Sequence, residues 1–301
     1  MYVAVRDVTL RQAGYRTVAE GLSELGLNAV ELAVNRDLSV AWPDTVPTSP
    51  RRPVVTPSDV AACRQAYADA GIHVSGLLMA NNFNAANIDD EIEWVLAGVA
   101  VAEGLGADAV RIDAAMTGQH ELALDRRASI YSQAVCRVLR DTPDSDVPVG
   151  IENHGLQGTD PRWLQCVLDT VGSPRLGLTL DTANFYWAGH PIDQVYAHIE
   201  HFAPYTKHVH CKNISFEPDK RDKYREPGWG YGDHVCPIPD GDIDHHRVVE
   251  LLTVAGYCGG LAIEDEALGK FEGDERRRQL LRGADHLAGI AEQFGGSRLH
   301  A

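Results

Sequence analysis

The segment Val149-Gly150-Ile151-Glu152-Asn153-His154-Gly155 has the pattern of a short buried strand that closes in a carboxylate, an amide and an imidazole before a turn glycine. Side chains alternate between the two faces of a strand, so Val149 and Ile151 share one face while Glu152 and His154 share the other. Burying a charged group at the end of an apolar strand is costly unless a partner compensates it. We therefore expect this strand to lead its polar side chains to a shared site.

The same alternation recurs in residues 176–181, 208–211 and 261–264, whose last polar positions are Asp181, His210 and Glu264. Glu152 and Asp181 are 29 residues apart, and Asp181 and His210 are again 29 apart, which is the length of one strand-helix unit. From His210 to Glu264 the distance is 54 residues, one unit plus a long insertion. Four strands thus bring four potential metal ligands to equivalent ends.

Strand and helix patterns alternate eight times along the chain with no break in composition. This predicts an α/β fold, a (β/α)8 TIM barrel that forms a single domain over residues 1–301. In such barrels the active site lies at the C-terminal ends of the strands, so the four candidate ligands are expected on one rim. The long connection 213–241 is expected to be a lid or a subunit contact, and residues 295–301 a frayed tail.

Composition excludes several classes of partner. The chain has 301 residues, 44% hydrophobic content and a formal charge of −16, which argues against nucleic acid and anionic membranes because both need a basic footprint. Six cysteines without a CxxC pair are typical of reduced thiols in a cytoplasmic protein. No basic segment precedes the apolar strand at Tyr2, so a signal peptide is not expected. The longest mostly apolar run, 95–102, is too short to span a bilayer.

The set of Glu152, Asp181, His210 and Glu264 offers three carboxylates and one imidazole. Such ligands suit manganese, magnesium or cobalt better than a thiolate-bound structural zinc. We expect one divalent metal ion, manganese first, with magnesium, cobalt or zinc as alternatives. The competing interpretation is four polar residues that are satisfied independently at their strand ends.

Six further residues are candidates for substrate contact: His154, His208, Lys212, Arg6, Glu31 and Trp229. The two histidines each lie two positions from a ligand on the same strand face, with a supporting or structural role as the alternative. Lys212 follows at the rim and could instead sit in a salt bridge. Arg6, Glu31, Arg111 and Asp113 all point inward by parity, and the alternative for them is a network of mutual pairs in the barrel core. We expect this pairing for Arg111 and Asp113, whereas Arg6 and Glu31 could reach the pocket. Glu266 is expected in solvent or behind the ligands.

These residues resemble the xylose isomerase-like TIM-barrel superfamily, the sugar phosphate isomerase/epimerase group. The most specific matching segments are Ile151-Glu152-Asn153-His154-Gly155, Leu180-Asp181-Thr182-Ala183-Asn184, His208-Val209-His210-Cys211-Lys212, Asp240-Gly241-Asp242-Ile243-Asp244, and Gly256-Tyr257 through Ile263-Glu264. The resemblance covers nearly the whole chain. It implies that Glu152, Asp181, His210 and Glu264 bind a divalent ion, and that Glu152 and Glu264 also move protons, as in the epimerases.

The chain departs from that group at two positions. Ketose epimerases tend to carry histidine where this chain has Asn184, which is therefore a further candidate for substrate binding. The arginine that they carry shortly after the metal histidine is not evident, and Phe216 lies near that position. The group also contains inosose and dehydroshikimate dehydratases and subunits that cleave oxidised C-glycosides, so the fold alone does not name the reaction.

The sequence predicts a metal-dependent isomerase or epimerase that transfers a proton next to a carbonyl of a small sugar or polyol, with Glu152 and Glu264 as the catalytic pair. One alternative is a lyase of the same superfamily, and another is a non-catalytic metal-binding barrel. An endonuclease IV-like phosphodiesterase is disfavoured because strands two and four lack histidines and the charge is negative. A homo-oligomer, or the need for a second subunit, stays open.

Overall fold

Eight parallel strands close into a barrel in the computed structural model, which describes residues 1–45, 51–115, 117 and 121–295. The barrel strands in chain order are β1 (Tyr2–Arg6), β2 (Ala29–Ala33), β3 (His73–Met79), β4 (Val110–Asp113), β5 (Val149–Glu152), β6 (Leu176–Asp181), β7 (Thr206–Cys211) and β8 (Gly260–Ile263). Each strand pairs with its neighbours in sequence, and β8 pairs with β1. The predicted (β/α)8 barrel is confirmed.

Among the described residues thirteen α-helices connect the strands, seven of ten or more residues and six of four to seven residues. The helices are α1 (Asp7–Gln12), α2 (Val18–Glu24), α3 (Pro57–Asp69), α4 (Ile88–Leu105), α5 (Leu124–Asp141), α6 (Gly155–Gly158), α7 (Pro161–Val171), α8 (Asn184–Trp187), α9 (Ile192–Phe202), α10 (Pro218–Arg221), α11 (Tyr231–His234), α12 (His245–Val254) and α13 (Asp274–Gln293). No helix among the described residues is both long and apolar enough to cross a membrane.

Local sequence explains where these helices begin. Before α3 the Thr56 side chain accepts from the Asp59 amide and the Asp59 carboxylate accepts from the Thr56 amide, with Pro57 at the first helical position. This capping box satisfies amides that the helix itself leaves free. Before α12 the Asp244 carboxylate accepts from the backbone amide of His246.

The two faces of the barrel strands have different roles. Outward-facing residues such as Val30 and Leu32 are fully buried against the helices in one large apolar cluster. The opposite faces carry small residues near the N-terminal ends, where Ala4, Ala29 and Ala262 pack together. Further along the same faces come charged residues, because parity is preserved along each strand. The interior therefore changes from small and apolar to polar toward the C-terminal rim.

Strand register sets the positions of the polar interior residues. Arg6 lies opposite Glu31, Asp113 lies opposite Glu152, and Asp181 lies opposite His210. Neighbouring strands lie about 4.7–4.9 Å apart, so side chains of register partners on the same face are close enough to interact. In these three pairs a polar interior side chain thus lies next to a polar side chain of the adjacent strand.

The connection 213–241 contains regular structure that the sequence patterns did not predict. Asn213–Ile214 pairs in an antiparallel manner with Val235–Cys236, and α10 and α11 lie between them. Lys270, in the segment after β8, donates from Nζ to the backbone oxygens of Asp233 (2.7 Å) and Val235 (2.6 Å). The connection is therefore fastened to the rim beside β8, while its role as a lid stays a prediction. Of the predicted tail, residues 296–301 lie outside the described residues.

Candidate metal centre

The structure brings the four candidate ligands together at the C-terminal rim. Glu152, Asp181, His210 and Glu264 come from the ends of four adjacent strands, β5, β6, β7 and β8. One potential ligand atom from each lies within 4.8 Å of those of the other three. The first three residues are buried, and the Glu264 side chain is 12% exposed. Glu152 and Glu264 lie at the two ends of this arc of strands.

Three of the four side chains hold a buried polar atom that makes no hydrogen bond within the described chain. These atoms are Asp181 Oδ2, His210 Nδ1 and Glu264 Oε2. Leaving one buried polar atom unsatisfied typically costs about 1–3 kcal/mol, so three such atoms at one point are informative. Oxygen and imidazole ligands of this kind suit a hard or borderline divalent cation. The residues present fit such an ion.

Backbone and amide groups orient Asp181. Its Oδ1 accepts from the backbone amides of Ala183 (2.9 Å) and Asn184 (2.7 Å), which leaves Oδ2 toward the cluster. Its own amide donates to Asn153 Oδ1 at 2.6 Å. Burial raises the pKa of Asp181. The Asn184 side chain, which the sequence assigned to substrate, donates from Nδ2 to Glu152 Oε1 at 3.2 Å.

Glu152 belongs to a buried group that we call the Arg111 network: Arg111, Asp113, Glu152 and His154. The Arg111 guanidinium contacts Glu152 Oε2 and lies 3.2 Å from Asp113 Oδ2, so the expected Arg111–Asp113 pair is present. Asp113 Oδ1 lies 3.0 Å from Nδ1 of His154, whose side chain is 44% exposed. Burial alone would raise the pKa of Glu152, but Arg111 and His210 hold it well below its usual value.

Sequence reasoning missed the contact between Arg111 and Glu152. The signal was available, because both residues point inward from adjacent strands, β4 and β5. Arg111 lies opposite Gly150, which has no side chain, and the guanidinium extends along the neighbouring strand to Glu152. Strand parity alone did not indicate that Arg111 would contact Glu152 as well as Asp113.

Glu264 belongs to a second group, the Arg6 network: Arg6, Glu31, His208, His210 and Glu264. Arg6 contacts Glu264 Oε1, and its Nε lies 3.6 Å from Glu31 Oε2. Glu31 Oε1 lies 2.9 Å from His210 Nε2 and 3.2 Å from His208 Nε2. Burial alone would raise the pKa of Glu31, but the two histidines hold it well below its usual value.

The structure places the other predicted substrate residues in different surroundings. Glu31 and His208 are 0% and 1% exposed and lie behind His210, whereas the Arg6 side chain is 16% exposed. Trp229 is 40% exposed and packs on His234 and Phe216 of its own connection, with ring centroids 5.3 and 5.8 Å apart. Within the described chain these ring contacts include none of the four candidate ligands.

Lys212 forms the salt bridges that the sequence left as an alternative to substrate binding. Its Nζ lies 3.5 Å from Asp181 Oδ2 and 3.3 Å from Glu266 Oε1. Burial would lower the pKa of Lys212, but Asp181 and Glu266 raise it. The hydroxyl of Tyr231, in α11, donates to Glu266 Oε2. Nothing in the sequence pattern indicated Tyr231, since its position depends on how residues 213–241 fold back.

Two curated proteins resemble parts of the chain. An uncharacterized protein of Methanocaldococcus jannaschii is 26% identical over 147 residues, covering 48% of this chain and 44% of that protein. The rhizopine catabolism protein MocC of Rhizobium meliloti is 28% identical over 195 residues, covering 60% of this chain and 58% of that protein. The chain thus spans about half the length of the curated relatives that it matches.

Solved structures share the fold over almost the whole chain at low sequence identity. The IOLI protein with a binding zinc atom has a TM-score of 0.70 at 15% identity, covering 98% of this chain and 99% of that one. An L-ribulose 3-epimerase has a TM-score of 0.68 at 15% identity, covering 98% and 96%. The probable 3-DHS dehydratase AsbF of Bacillus anthracis has a TM-score of 0.65 at 13% identity, covering 95% and 98%.

A family profile extends this agreement from fold to sequence. The profile described as xylose isomerase-like TIM barrel matches residues 19–290, which include all four candidate ligands. The resemblance carried by the strand-end motifs is therefore confirmed, and the chain belongs to the xylose isomerase-like TIM barrel family.

Proposed function

We propose that the protein is a divalent-metal-dependent enzyme that transfers a proton at a carbon next to the carbonyl of a small sugar or polyol, as an isomerase or epimerase. The observation that carries this proposal is the convergence of one potential ligand atom from each of four side chains within 4.8 Å. Three of these side chains also hold a buried polar atom without a hydrogen bond in the described chain. Family membership and the epimerase and zinc-binding neighbours support it.

Glu152, Asp181, His210 and Glu264 would hold the ion. Once bound, a divalent cation polarises a carbonyl oxygen and stabilises the negative charge that develops beside it. The protein's own part is to fix the ligand atoms before substrate arrives. Asn184 and Ala183 hold one oxygen of Asp181, and Arg111 holds one oxygen of Glu152.

Glu152 and Glu264 are the proposed acid-base pair because they lie at opposite ends of the ligand arc. A planar carbanion between them can lose a proton to one carboxylate and regain one from the other on the opposite face, which is epimerisation. Return of the proton to the adjacent carbon is isomerisation. Glu264 Oε1 contacts Arg6, whereas Oε2 faces the other candidate ligands and makes no hydrogen bond within the described chain. The oxygen that would bind the ion is therefore also the one proposed to accept the substrate proton.

A lyase is the second candidate, and His154 is the observation that favours it. Asp113 holds Nδ1 of this half-exposed imidazole beside Glu152, so an oriented acid stands at the rim. Such a group could protonate a leaving hydroxyl after the same carbon has lost its proton. The neighbouring dehydratase structure supports this alternative.

Solvent exchange tests the proposal. Ketoses, inososes and 3-keto-glycosides are incubated in D2O with the Mn²⁺-loaded protein, with chelator-treated protein as the control. We expect deuterium at the carbon next to the carbonyl, only with metal, and slower incorporation in metal-replete Glu152→Gln and Glu264→Gln. A product that has lost water relative to the substrate would select the lyase. Turnover without any exchange from solvent would contradict the two-glutamate assignment.

A further inference from the structure

Glu31 is a fully buried carboxylate that contacts the candidate metal centre from behind. It lies in β2, which contributes none of the four ligands, and it is 0% exposed. A buried carboxylate is retained in a fold only where partners compensate its charge. The partners of Glu31 are His208, His210 and Arg6, so one of the groups that compensate its charge is itself a candidate metal ligand, His210.

The two ring nitrogens of His210 face different groups. Nδ1 lies 3.2 Å from Glu264 Oε2 and 3.5 Å from Glu152 Oε1, among the candidate ligands. Nε2 lies 2.9 and 3.0 Å from the two oxygens of Glu31. The ring therefore bridges the ligand set and the buried carboxylate.

This geometry assigns the ring proton. An ionised carboxylate can only accept hydrogen bonds, so the nitrogen that faces Glu31 must carry the hydrogen. A neutral imidazole has one N–H, and its other nitrogen then presents a lone pair. With the hydrogen on Nε2, the lone pair of His210 is on Nδ1, the atom that lies among the ligands.

We propose that Glu31 is a positioning residue that holds His210 with its proton on Nε2 and its Nδ1 lone pair toward the metal. The inference rests on the metal centre of the proposed function. The sequence alone left Glu31 between substrate contact and pairing in the barrel core.

Glu31 supports a second ligand through Arg6. The Arg6 Nε lies 3.6 Å from Glu31 Oε2, and the other end of the guanidinium contacts Glu264 Oε1. Arg6 and Glu31 are register partners on β1 and β2. Removing the Glu31 charge thus loosens His210 directly and Glu264 through Arg6. Mutation of a residue that orients a metal ligand in this way typically weakens metal affinity by about 10–100-fold.

The first experiment compares Zn²⁺ affinity, measured by competition with a chromophoric chelator, in the wild type, Glu31→Gln and Glu91→Gln. Glu91 is the matched control because it is also buried and paired with an arginine, Arg36, away from the ligands. We expect about 10–100-fold weaker binding in Glu31→Gln and wild-type binding in Glu91→Gln. Melting curves of the metal-free proteins establish that each variant is folded. Unchanged affinity in folded Glu31→Gln would overturn the proposal.

The second experiment needs no variant. Long-range ¹H–¹⁵N spectra of the Zn²⁺-loaded wild type report which nitrogen of His210 carries the proton. We expect a protonated, downfield-shifted Nε2 and an unprotonated Nδ1; the opposite pattern overturns the role of Glu31 while leaving the metal centre intact. A wild type that binds no divalent ion through His210 overturns the proposed function together with this inference.

Discussion

The two glutamates at the ends of the ligand arc each lie beside an arginine, yet the two pairs differ in how completely they are enclosed. Both Glu152 oxygens are engaged, one by Arg111 and one by Asn184, and its side chain is 3% exposed. Glu264 has one oxygen on Arg6 and one without a hydrogen bond, and its side chain is 12% exposed.

The difference separates two tasks that a catalytic carboxylate can perform. A fully engaged anion such as Glu152 takes up a proton less readily, because protonation weakens its pair with Arg111. Glu264 Oε2, the oxygen that faces the other candidate ligands, can accept and release a proton without breaking the contact between Oε1 and Arg6. We infer that the Arg111 network gives rigidity and that the Arg6 network gives the more available base.

The largest expected effect is on turnover. At saturating metal, Glu264→Gln should lower kcat by about 10²–10⁴-fold, the usual contribution of a general acid-base group. Glu152→Gln should lose less kcat under the same conditions and more metal affinity. Steady-state kinetics with metal titration checks both. If Glu152→Gln lowers kcat more than Glu264→Gln does at saturating metal, Glu152 and not Glu264 is the more available base.

The next effect is on stability. Arg111→Met leaves Glu152 and Asp113 buried without their cation, and removing one partner of a buried pair typically costs about 3–5 kcal/mol. Arg6→Met should cost about 1–3 kcal/mol, since Glu264 is partly exposed and Glu31 keeps its two imidazoles. Urea denaturation of the metal-free proteins measures the difference. Equal losses would contradict the greater rigidity of the Arg111 network.

Mild acid should lower the stability of the protein through a histidine that belongs to neither the Arg111 network nor the Arg6 network. His245 is 1% exposed, and burial lowers its pKa to about 3. A histidine whose folded pKa is depressed stabilises the fold fully above its unfolded pKa of about 6.5, and this stability is lost as pH falls toward 3. The free energy of unfolding should therefore fall below pH 6.5, with a slope approaching about 1.4 kcal/mol per pH unit for this one group.

His245→Gln checks the origin of that slope. Removing the imidazole should lower the slope between pH 6.5 and 5 by up to about 1.4 kcal/mol per pH unit. The paired carboxylates Glu31 and Glu152 stay ionised in this range because their pKa values are held low, and the remaining slope includes that of His198, whose pKa burial lowers to about 4. Urea titrations at several pH values give the slope for each protein. An unchanged slope in His245→Gln would place the acid sensitivity elsewhere.

The smallest expected effect concerns Trp229. Its ring stacks on His234, and an aromatic pair of this kind is worth about 0.5–1.5 kcal/mol. Trp229→Ala should therefore lower stability by at least about that amount, because the buried part of the ring is lost as well. If residues 213–241 close over the substrate, KM should rise as well, whereas packing alone would leave KM unchanged. Kinetics on the identified substrate separates the two roles.

Much of the fold could be predicted because period and spacing are local properties. Alternation along each strand and the repeated spacing of 29 residues indicated eight strand-helix units and the four convergent side chains. The short helix α1 was missed because six residues are too few to show a helical period. The hairpin and helices within 213–241 were missed because they depend on contacts with the rim, such as those of Lys270.

Within the site, parity predicted which residues point inward but not which partners they choose. Arg111 had two inward carboxylates within reach and contacts both. Glu31 was open between substrate contact and a pair in the barrel core, and it is fully buried beside Arg6 and His210, because parity gives the face of a strand and not the depth in the barrel. For Lys212 the sequence allowed either substrate contact or a salt bridge, and the salt bridge forms because Glu266 lies beside it.

Metal content tests the central claim most directly. The wild type, His210→Ala and His201→Ala are purified in parallel, loaded with Mn²⁺ or Zn²⁺, dialysed and analysed for bound metal. His201 is the control because it is an exposed imidazole outside the ligand set. The account predicts one ion per chain in the wild type and in His201→Ala, and a large loss in His210→Ala. Wild-type metal content in folded His210→Ala would contradict it.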